Sequence, residues 1–269
     1  MNESHPDGGK GPERPARGML PPAPAPVPAD IGIVAAMSIE VGFLLDRLSK
    51  VRKYVGPTST VHEGEAAGKL IALVVTGMGR EAARRGTLRL LDGHNPRWII
   101  SAGFAGALNR EFARYDLVMP HEVRDLDGAR YAIDVTLPDQ GRGVRSGVRS
   151  GRLLTVDRII RTAAEKDELR DRFGADLVDM ETSAVAALCS ERQVRFLSIR
   201  VISDEAGIDL PPEVANLMTR SGSYRVGAAL RAIWNRPSSL KDFWALHEHA
   251  QEAADRLAQF VAGALERLD

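Results

Sequence analysis

Short apolar runs alternate with amphipathic stretches along most of the 269-residue chain. Three of the runs have the length and the β-branched content of buried strands. They are IGIVAAM at 31–37, KLIALVVTG at 69–77 and RFLSIRVIS at 195–203. Further strands are predicted at about 53–63, 97–103, 117–120, 129–135 and 152–156.

Apolar residues recur at helical spacing between these runs. Helices are predicted at 38–51, 80–94, 161–174 and 182–193, and an amphipathic helix from about Leu240 closes the chain. Strands that alternate with helices form a mostly parallel or mixed sheet with helices on both faces. We therefore predict one α/β domain over residues 30–269, in which helices flank a central mixed β-sheet in three layers.

The first 29 residues have a different composition, because they contain eight of the 15 prolines. Proline at this density opposes both helix and sheet, so residues 1–29 are predicted to form a disordered or polyproline-like tail. The tail has no apolar run that could serve as a signal-peptide core. No later stretch approaches the roughly 18 uninterrupted apolar residues of a membrane-spanning helix.

The charge balance and the single cysteine limit the partners and the cellular location that the sequence predicts. The 36 basic and 36 acidic residues balance, so no general attraction for nucleic acid or for a membrane surface is expected. The single cysteine, Cys189, excludes an intrachain disulfide and fits a reducing, cytoplasmic location. His247 and His249 are two positions apart and therefore on different helix faces, which is not a metal-binding spacing. With no nicotinamide or flavin motif either, no metal or cofactor is expected.

Carboxyl groups follow several predicted strands. Glu40 comes just after the first strand, Met180 with Glu181 follows another, and Ser203 with Asp204 stands at the end of the run 195–203. Ligands of such sheets bind beyond the strand ends, so we expect the three acids at one edge. Burial and mutual repulsion raise carboxyl pKa values, and a protonated carboxyl can act as a general acid. Each acid taken alone could equally be a capping or salt-bridge residue.

Small residues also follow two strands. The TGMG turn at 76–79 offers backbone amides that suit an anion or a ribose, although it is neither G-x-G-x-x-G nor a Walker loop. In SAGFAGAL at 101–108, Ala105 and Gly106 could present amide and carbonyl groups to the edge of a flat ligand. Tight turns and close backbone packing are the alternative explanations. The arginine- and glycine-rich segment 141–152 is predicted to be a solvated loop, with a phosphate site or a flap as alternatives.

Five motifs occur in one order between about Ile31 and Ala206: IGIVAAMSIEV, TGMG, SAGFAGAL, VDMETSAVA and RVISD. Together they resemble the purine nucleoside phosphorylase/nucleosidase superfamily, and in motif order the 5′-methylthioadenosine/S-adenosylhomocysteine nucleosidases. The resemblance implies an enzyme that breaks the C1′–N9 bond of a purine nucleoside with water or phosphate as co-substrate. It also implies a homo-oligomer, which we expect to be a dimer.

The resemblance assigns a catalytic role to each of the three acids. Asp204 would protonate N7 of adenine, Glu181 would bind the ribose hydroxyls, and Glu40 would activate the attacking water. Ser203 would orient Asp204, and Met180 would pack beneath the sugar. The other predicted substrate-binding residues are Met37, Gly77, Phe104, Ala105, Gly106, Ile159 and Ile160.

Several positions depart from the nucleosidase pattern. Ile159 stands where an aromatic residue usually stacks on adenine, and Phe104 replaces a small serine. Residues 121–152 are shorter than their equivalent. Phosphorylases usually carry an arginine just before the SAG-like stretch, and it is absent here, with Arg80 only a weak substitute. Hydrolysis is therefore favoured over phosphorolysis.

Two alternatives stay open. Residues 153–186 and 202–214 resemble hopanoid-associated phosphorylases, which are thought to remove adenine from an adenosyl-lipid. In that case the apolar segment 214–234 could cover a 5′ substituent, although core packing explains it equally well. The second alternative is a catalytically silent nucleoside-binding protein that has kept the fold.

Overall fold

The structure is a computed structural model that describes residues 28–133, 147–211 and 239–269, with backbone alone in 239–247. Almost all of the predicted tail and two other segments singled out in the sequence, 141–146 and 214–234, lie outside the described residues. Within the described part, no helix is both long and apolar enough to cross a membrane.

The described residues form ten strands and five helices. The strands are β1 (Ile31–Ala35), β2 (Ser49–Val55), β3 (Thr60–Ala66), β4 (Lys69–Val75), β5 (Trp98–Ala107), β6 (Leu117–Asp125), β7 (Arg130–Ala132), β8 (Val148–Thr155), β9 (Leu177–Asp179) and β10 (Arg195–Asp204). The helices are α1 (Ser38–Leu45), α2 (Arg80–His94), α3 (Ala163–Phe173), α4 (Thr182–Arg192) and α5 (Ser239–Leu265).

The strands form one mixed sheet. β1 lies between β4 and β5 and is parallel to both, while β3 and β2 extend the sheet beyond β4 as an antiparallel edge. On the other side β5 pairs with β10 and with β9, and the pairings continue through β6 and β8 until they close a ring. The ring brings the ends of β5, β9 and β10 close together.

Helices cover both faces of the sheet. Ile71 and Leu73 of β4 belong to a core that includes α1 and α5, whereas Ala72 and Val74 face a second core formed with α2 and α4. This alternation follows from the two-residue period of a strand, and it makes continuous apolar runs necessary in strands buried on both faces. The predicted three-layer α/β architecture is confirmed.

Several predicted boundaries are wrong. The strand region at 53–63 is a hairpin of β2 and β3, and predicted helix residues 49–51 lie in β2. This edge is exposed along β2, so its sequence lacks the apolar pattern of a buried strand. The strand predicted at 97–103 extends further, to Ala107 in β5, because the parallel ladder with β10 continues to Gly106. Residues 148–152 of the predicted arginine- and glycine-rich loop lie in β8, which pairs with β6.

A glycine in α2 lets this helix lie directly on the sheet. A Cβ atom at Gly86 would lie 2.2 Å from Cγ2 of Thr76. Thr76 is buried, and its hydroxyl donates to the backbone carbonyl of Gly77 at 2.6 Å, so the threonine cannot move aside cheaply. Close approach of the backbones therefore outweighs the helix propensity that alanine would add at this position.

We expect Gly86→Ala to lower the free energy of unfolding by about 1 to 3 kcal/mol, the usual cost of overpacking a core. Gly42→Ala in α1 is the matched control, since a Cβ there meets no atom within 4 Å. It should stabilise the protein by roughly 0.5 to 1 kcal/mol through helix propensity. Urea denaturation of the two variants checks this, and equal effects would show that α2 is not packed as described.

Candidate active site

A cavity of about 200 Å³ lies beyond the ends of β1, β5, β9 and β10. Eleven of the twelve predicted site residues line it, namely Met37, Glu40, Phe104, Ala105, Gly106, Ile159, Ile160, Met180, Glu181, Ser203 and Asp204. Gly77 is not among the lining residues. Its N–H donates to the carbonyl of Ala36, and its φ of +85° shapes the turn after β4 instead.

Glu40 is a buried residue in the first turn of α1. Its Oε2 accepts hydrogen bonds from the backbone N–H groups of Ala36 and Met37, at 3.0 and 2.8 Å. Its Oε1 accepts from the N–H of Phe104 on β5, at 3.0 Å. Burial raises the pKa of this carboxyl, and the three N–H donors offset only part of that effect. Glu40 therefore caps its own helix and also joins the strand ends of β1 and β5.

Glu181 lies between β9 and α4, opposite the turn that precedes α2. Its Oε1 accepts a 2.6 Å hydrogen bond from the N–H of Gly79, which belongs to the TGMG turn. The amide predicted to suit an anion thus holds a carboxyl of the chain itself. Burial raises the pKa of Glu181 to about 8, and the negative charges of Asp179 and Glu40 add to the rise. At neutral pH this carboxyl group therefore holds a proton more readily than an exposed glutamate does.

Arg200 supplies a buried positive charge that was not predicted as a site residue. Its Nη2 lies 3.0 Å from Oδ2 of Asp179, and its two terminal nitrogens donate to the carbonyl and the hydroxyl of Ser101, at 3.0 and 2.7 Å. Its charge lowers the pKa of both Glu40 and Glu181. The sequence indicates this position, because Arg200 is a charged residue between two apolar residues of a predicted strand.

Asp204 is the last residue of β10 and has a separate set of partners. The hydroxyl of Ser203 lies 2.7 Å from its Oδ1, and the ammonium of Lys166 lies 2.6 Å from its Oδ2. Gly106 packs directly against the carboxyl group, since a Cβ there would come within 3.1 Å of Oδ2. Lys166 was not predicted, because it lies on α3 among charged residues that are mostly solvated.

The remaining wall of the cavity is mainly apolar. Ile159 and Ile160 lie there with Val156 and Val178, and Met180 contributes next to Glu181. His249 of α5 also lines the cavity, and its Nδ1 lies 2.5 Å from the hydroxyl of Tyr115. The two-residue spacing of His247 and His249 excludes a metal ligand pair but gives no sign of this position in the cavity. Within the described ranges, no group of three or more His, Cys, Asp or Glu side chains is arranged to hold a metal ion.

Arg80, the weak substitute for the arginine that binds phosphate in phosphorylases, has carboxylate partners of its own. Its guanidinium lies 2.8 Å from Asp157, 3.2 Å from Asp127 and 3.8 Å from Asp125. A much smaller cavity, of about 10 Å³, is lined by Glu40, Glu181, Arg200 and residues of β1 and β5.

A cavity lined by acids from separate strand ends, at the switch points of a mixed sheet, is typical of an α/β enzyme that acts on a small molecule. The sequence matches the profile of the Phosphorylase superfamily over residues 30–266. The chain therefore belongs to the Phosphorylase superfamily, and the prediction made from its motifs is confirmed.

Several proteins that the chain resembles are nucleosidases by name. The chain is 28% identical over 228 residues to the 5′-methylthioadenosine/S-adenosylhomocysteine nucleosidase of Tolumonas auensis, covering 76% of this chain and 99% of the relative. It is 31% identical over 201 residues to the nucleosidase of the same name from Chromohalobacter salexigens, covering 66% and 85%. The crystal structure of a Neisseria meningitidis nucleosidase of that name, in complex with methylthio-immucillin-A, aligns with a TM-score of 0.70 at 23% identity, covering 88% of this chain and 99% of that one.

The raised pKa of Glu181 predicts a pH-dependent loss of stability. In the unfolded chain this glutamate has an ordinary pKa of 4.5, whereas in the folded protein its pKa is about 8. Between these values the unfolded state has released the proton and the folded state has not, so the contribution of Glu181 to stability falls as the pH rises. The loss of stability begins near pH 4.5 and is complete above a pH of about 8.

Glu181→Gln should remove this dependence, because the amide does not ionise. Relative to the variant, the wild-type free energy of unfolding should fall by on the order of 2 kcal/mol between about pH 5.5 and pH 7.5. Urea denaturation at the two pH values measures the difference, and the exposed Glu191→Gln serves as control. Parallel pH dependence in wild type and Glu181→Gln would contradict the assignment.

Proposed function

We propose that the protein is an adenine nucleoside hydrolase that splits the C1′–N9 bond of a 5′-methylthioadenosine- or S-adenosylhomocysteine-like substrate and releases adenine. The observation that carries the proposal is that Glu40, Glu181 and Asp204, from three separate strand ends, line one cavity. The names of the relatives supply the substrate class. The contacts of each of the three acids support a different catalytic role for it.

Asp204 is proposed as the general acid at the base end of the cavity. As the electron pair of the C1′–N9 bond moves onto adenine, Asp204 donates its proton to N7 and the base leaves neutral. Ser203 and the packing against Gly106 fix the carboxyl at the strand end. Ala105 and Gly106 border the base edge, and Ile159 replaces the stacking of an aromatic ring by apolar contact.

Glu181 and Met180 are proposed to contact the ribose. The transition state of this bond cleavage carries positive charge on the sugar, which acidic groups in a water-poor site stabilise strongly. Glu181 has its carboxyl held by the amide of Gly79, so it is already placed before substrate binds. A hydrogen bond to the ribose hydroxyls and the growing positive charge both favour its ionised form.

Glu40 is proposed to accept a proton from the attacking water. Burial raises its pKa, which makes it a better proton acceptor than an exposed glutamate. The small cavity beside it is about the size that one water occupies. Among the described residues Arg200 Nε has no hydrogen-bond partner, so it could donate to that water. The water oxygen bonds to C1′ while its proton passes to Glu40.

This arrangement supports hydrolysis over phosphorolysis. Phosphate needs several N–H donors and positive charge, and the guanidinium of Arg80 is paired with aspartates. The positive charge of Arg200 is shared among Asp179 and two further carboxyl groups. Location in the cytoplasm and assembly as a homodimer stay predictions from composition and resemblance.

The proposal predicts adenine release that does not depend on phosphate. Purified protein is incubated with methylthioadenosine, S-adenosylhomocysteine, adenosine or inosine, each with and without phosphate, and free base is measured by chromatography. We expect adenine from the first two substrates at equal rates in both buffers. Release only with phosphate would establish a phosphorylase instead. Tight binding without turnover would establish a silent nucleoside-binding protein.

Single substitutions separate catalysis from binding. We expect Asp204→Asn and Glu40→Gln each to lower kcat by roughly 10² to 10⁴, the range for loss of general acid–base catalysis. The Kd for methylthioadenosine, measured by calorimetry, should change far less because each substitution preserves shape. Glu191→Gln, on the exposed face of α4, is the control and should behave as wild type. An unchanged kcat in either active-site variant would refute the role given to that residue.

A further inference from the structure

Lys166 is the largest of the fully buried side chains in the described part of the protein. Lys166 lies on α3, where every other charged residue is at least partly exposed. Its side chain extends inward to the end of β10. Its Nζ lies 2.6 Å from Oδ2 of Asp204, 2.6 Å from the carbonyl of Glu205 and 3.1 Å from the carbonyl of Ile208.

These three contacts match the three N–H donors of an ammonium group. A neutral amine has only two N–H donors, and its lone pair would face one of the oxygen atoms. Burial of a charged group is costly unless it is paired and hydrogen-bonded. An apolar side chain of similar length would avoid this cost but would leave three oxygen atoms without their donor. Of these three acceptors only Asp204 is ionisable, so the charge of Lys166 acts chiefly on that carboxyl group.

The two oxygens of Asp204 have different partners. Ser203 contacts Oδ1 at 2.7 Å and Lys166 contacts Oδ2 at 2.6 Å, so rotation of the carboxyl group would break both contacts. The main chain of Gly106 closes a third side. Neither Ser203 nor Gly106 carries a charge, so Lys166 supplies the positive charge in direct contact with this carboxyl.

We propose that Lys166 is the positioning residue of the general acid, an inference that rests on the proposed function. It fixes the carboxyl group of Asp204 toward the base. It also stabilises the carboxylate that Asp204 becomes when its proton has moved to N7 and the C1′–N9 electron pair has moved onto adenine. Lys166 keeps its own protons throughout, and Asp204 regains a proton from solvent before the next turnover.

The leaving group distinguishes this role from a merely structural one. Adenine needs a proton in order to leave, whereas 4-nitrophenolate is stable as an anion and leaves without one. Loss of support for the general acid should therefore slow cleavage of methylthioadenosine and spare a 4-nitrophenyl 5-methylthio-β-riboside. Damage to the cavity as a whole would slow both reactions alike.

The experiment compares Lys166→Met with wild type on these two substrates. We expect kcat/KM for methylthioadenosine to fall by about 10- to 100-fold, and that for the nitrophenyl riboside by less than about threefold. Lys166→Arg keeps the charge and should retain more activity on methylthioadenosine than Lys166→Met does. Lys53→Met on the exposed strand β2 is the control, and thermal melting reports whether each variant is folded.

Three results would overturn the inference: an equal loss on both substrates, wild-type activity of Lys166→Met on methylthioadenosine, or Lys166→Arg no more active than Lys166→Met. If Lys166→Met does not fold, Lys166→Gln replaces it in the same comparison. If the wild-type protein does not cleave the nitrophenyl riboside, the test is whether Lys166→Arg is more active on methylthioadenosine than Lys166→Met. A wild-type protein that releases adenine from no nucleoside refutes the proposed function itself, whereas an active enzyme with an unchanged substrate ratio refutes only the role of Lys166.

Discussion

The buried guanidinium of Arg200 holds together the strand ends on which the candidate site is built. It connects β10 to Ser101 of β5 and to Asp179 at the end of β9, and its charge also acts on Glu40 and Glu181. Without this cation, three buried carboxyl groups would face one another with no opposing charge, an arrangement that proteins avoid. The junction of β5, β9 and β10 and the ionisation of Glu40 and Glu181 therefore depend in part on the charge of Arg200.

Local sequence patterns predicted much of this arrangement. A two-sided buried strand needs a continuous apolar run, and a carboxylate at its end breaks that run visibly, as in RVISD. Glu40, Glu181 and Asp204 could therefore be assigned to strand ends, and the topology of α/β sheets then placed them at one edge. The wall residues Ile159 and Ile160 came from the resemblance to a family and not from any pattern of spacing.

Long-range partners could not be predicted in the same way. Lys166 lies in the helical sequence AAEKDELRDRF, where nothing distinguishes it from neighbours that remain at the surface. Its burial depends on where α3 meets the end of β10, which only the tertiary structure determines. Arg200 was visible as a charge within an apolar strand, but its partner Asp179 is 21 positions away. The strand predicted at 97–103 was too short for the same reason, because the pairing of the small residues of β5 with β10 is also a long-range property.

The charges divide the site into two unequal ends. Glu40, Asp179 and Glu181 share one guanidinium, so acidic groups outnumber the positive charge at that end, and burial raises the pKa of Glu40 and Glu181. Asp204 has an ammonium of its own. In the proposed reaction the sugar becomes cationic and the base becomes electron-rich at the same moment. In that reaction, acidic groups that share one guanidinium suit the cationic sugar, and a proton donor with an ammonium of its own suits the electron-rich base.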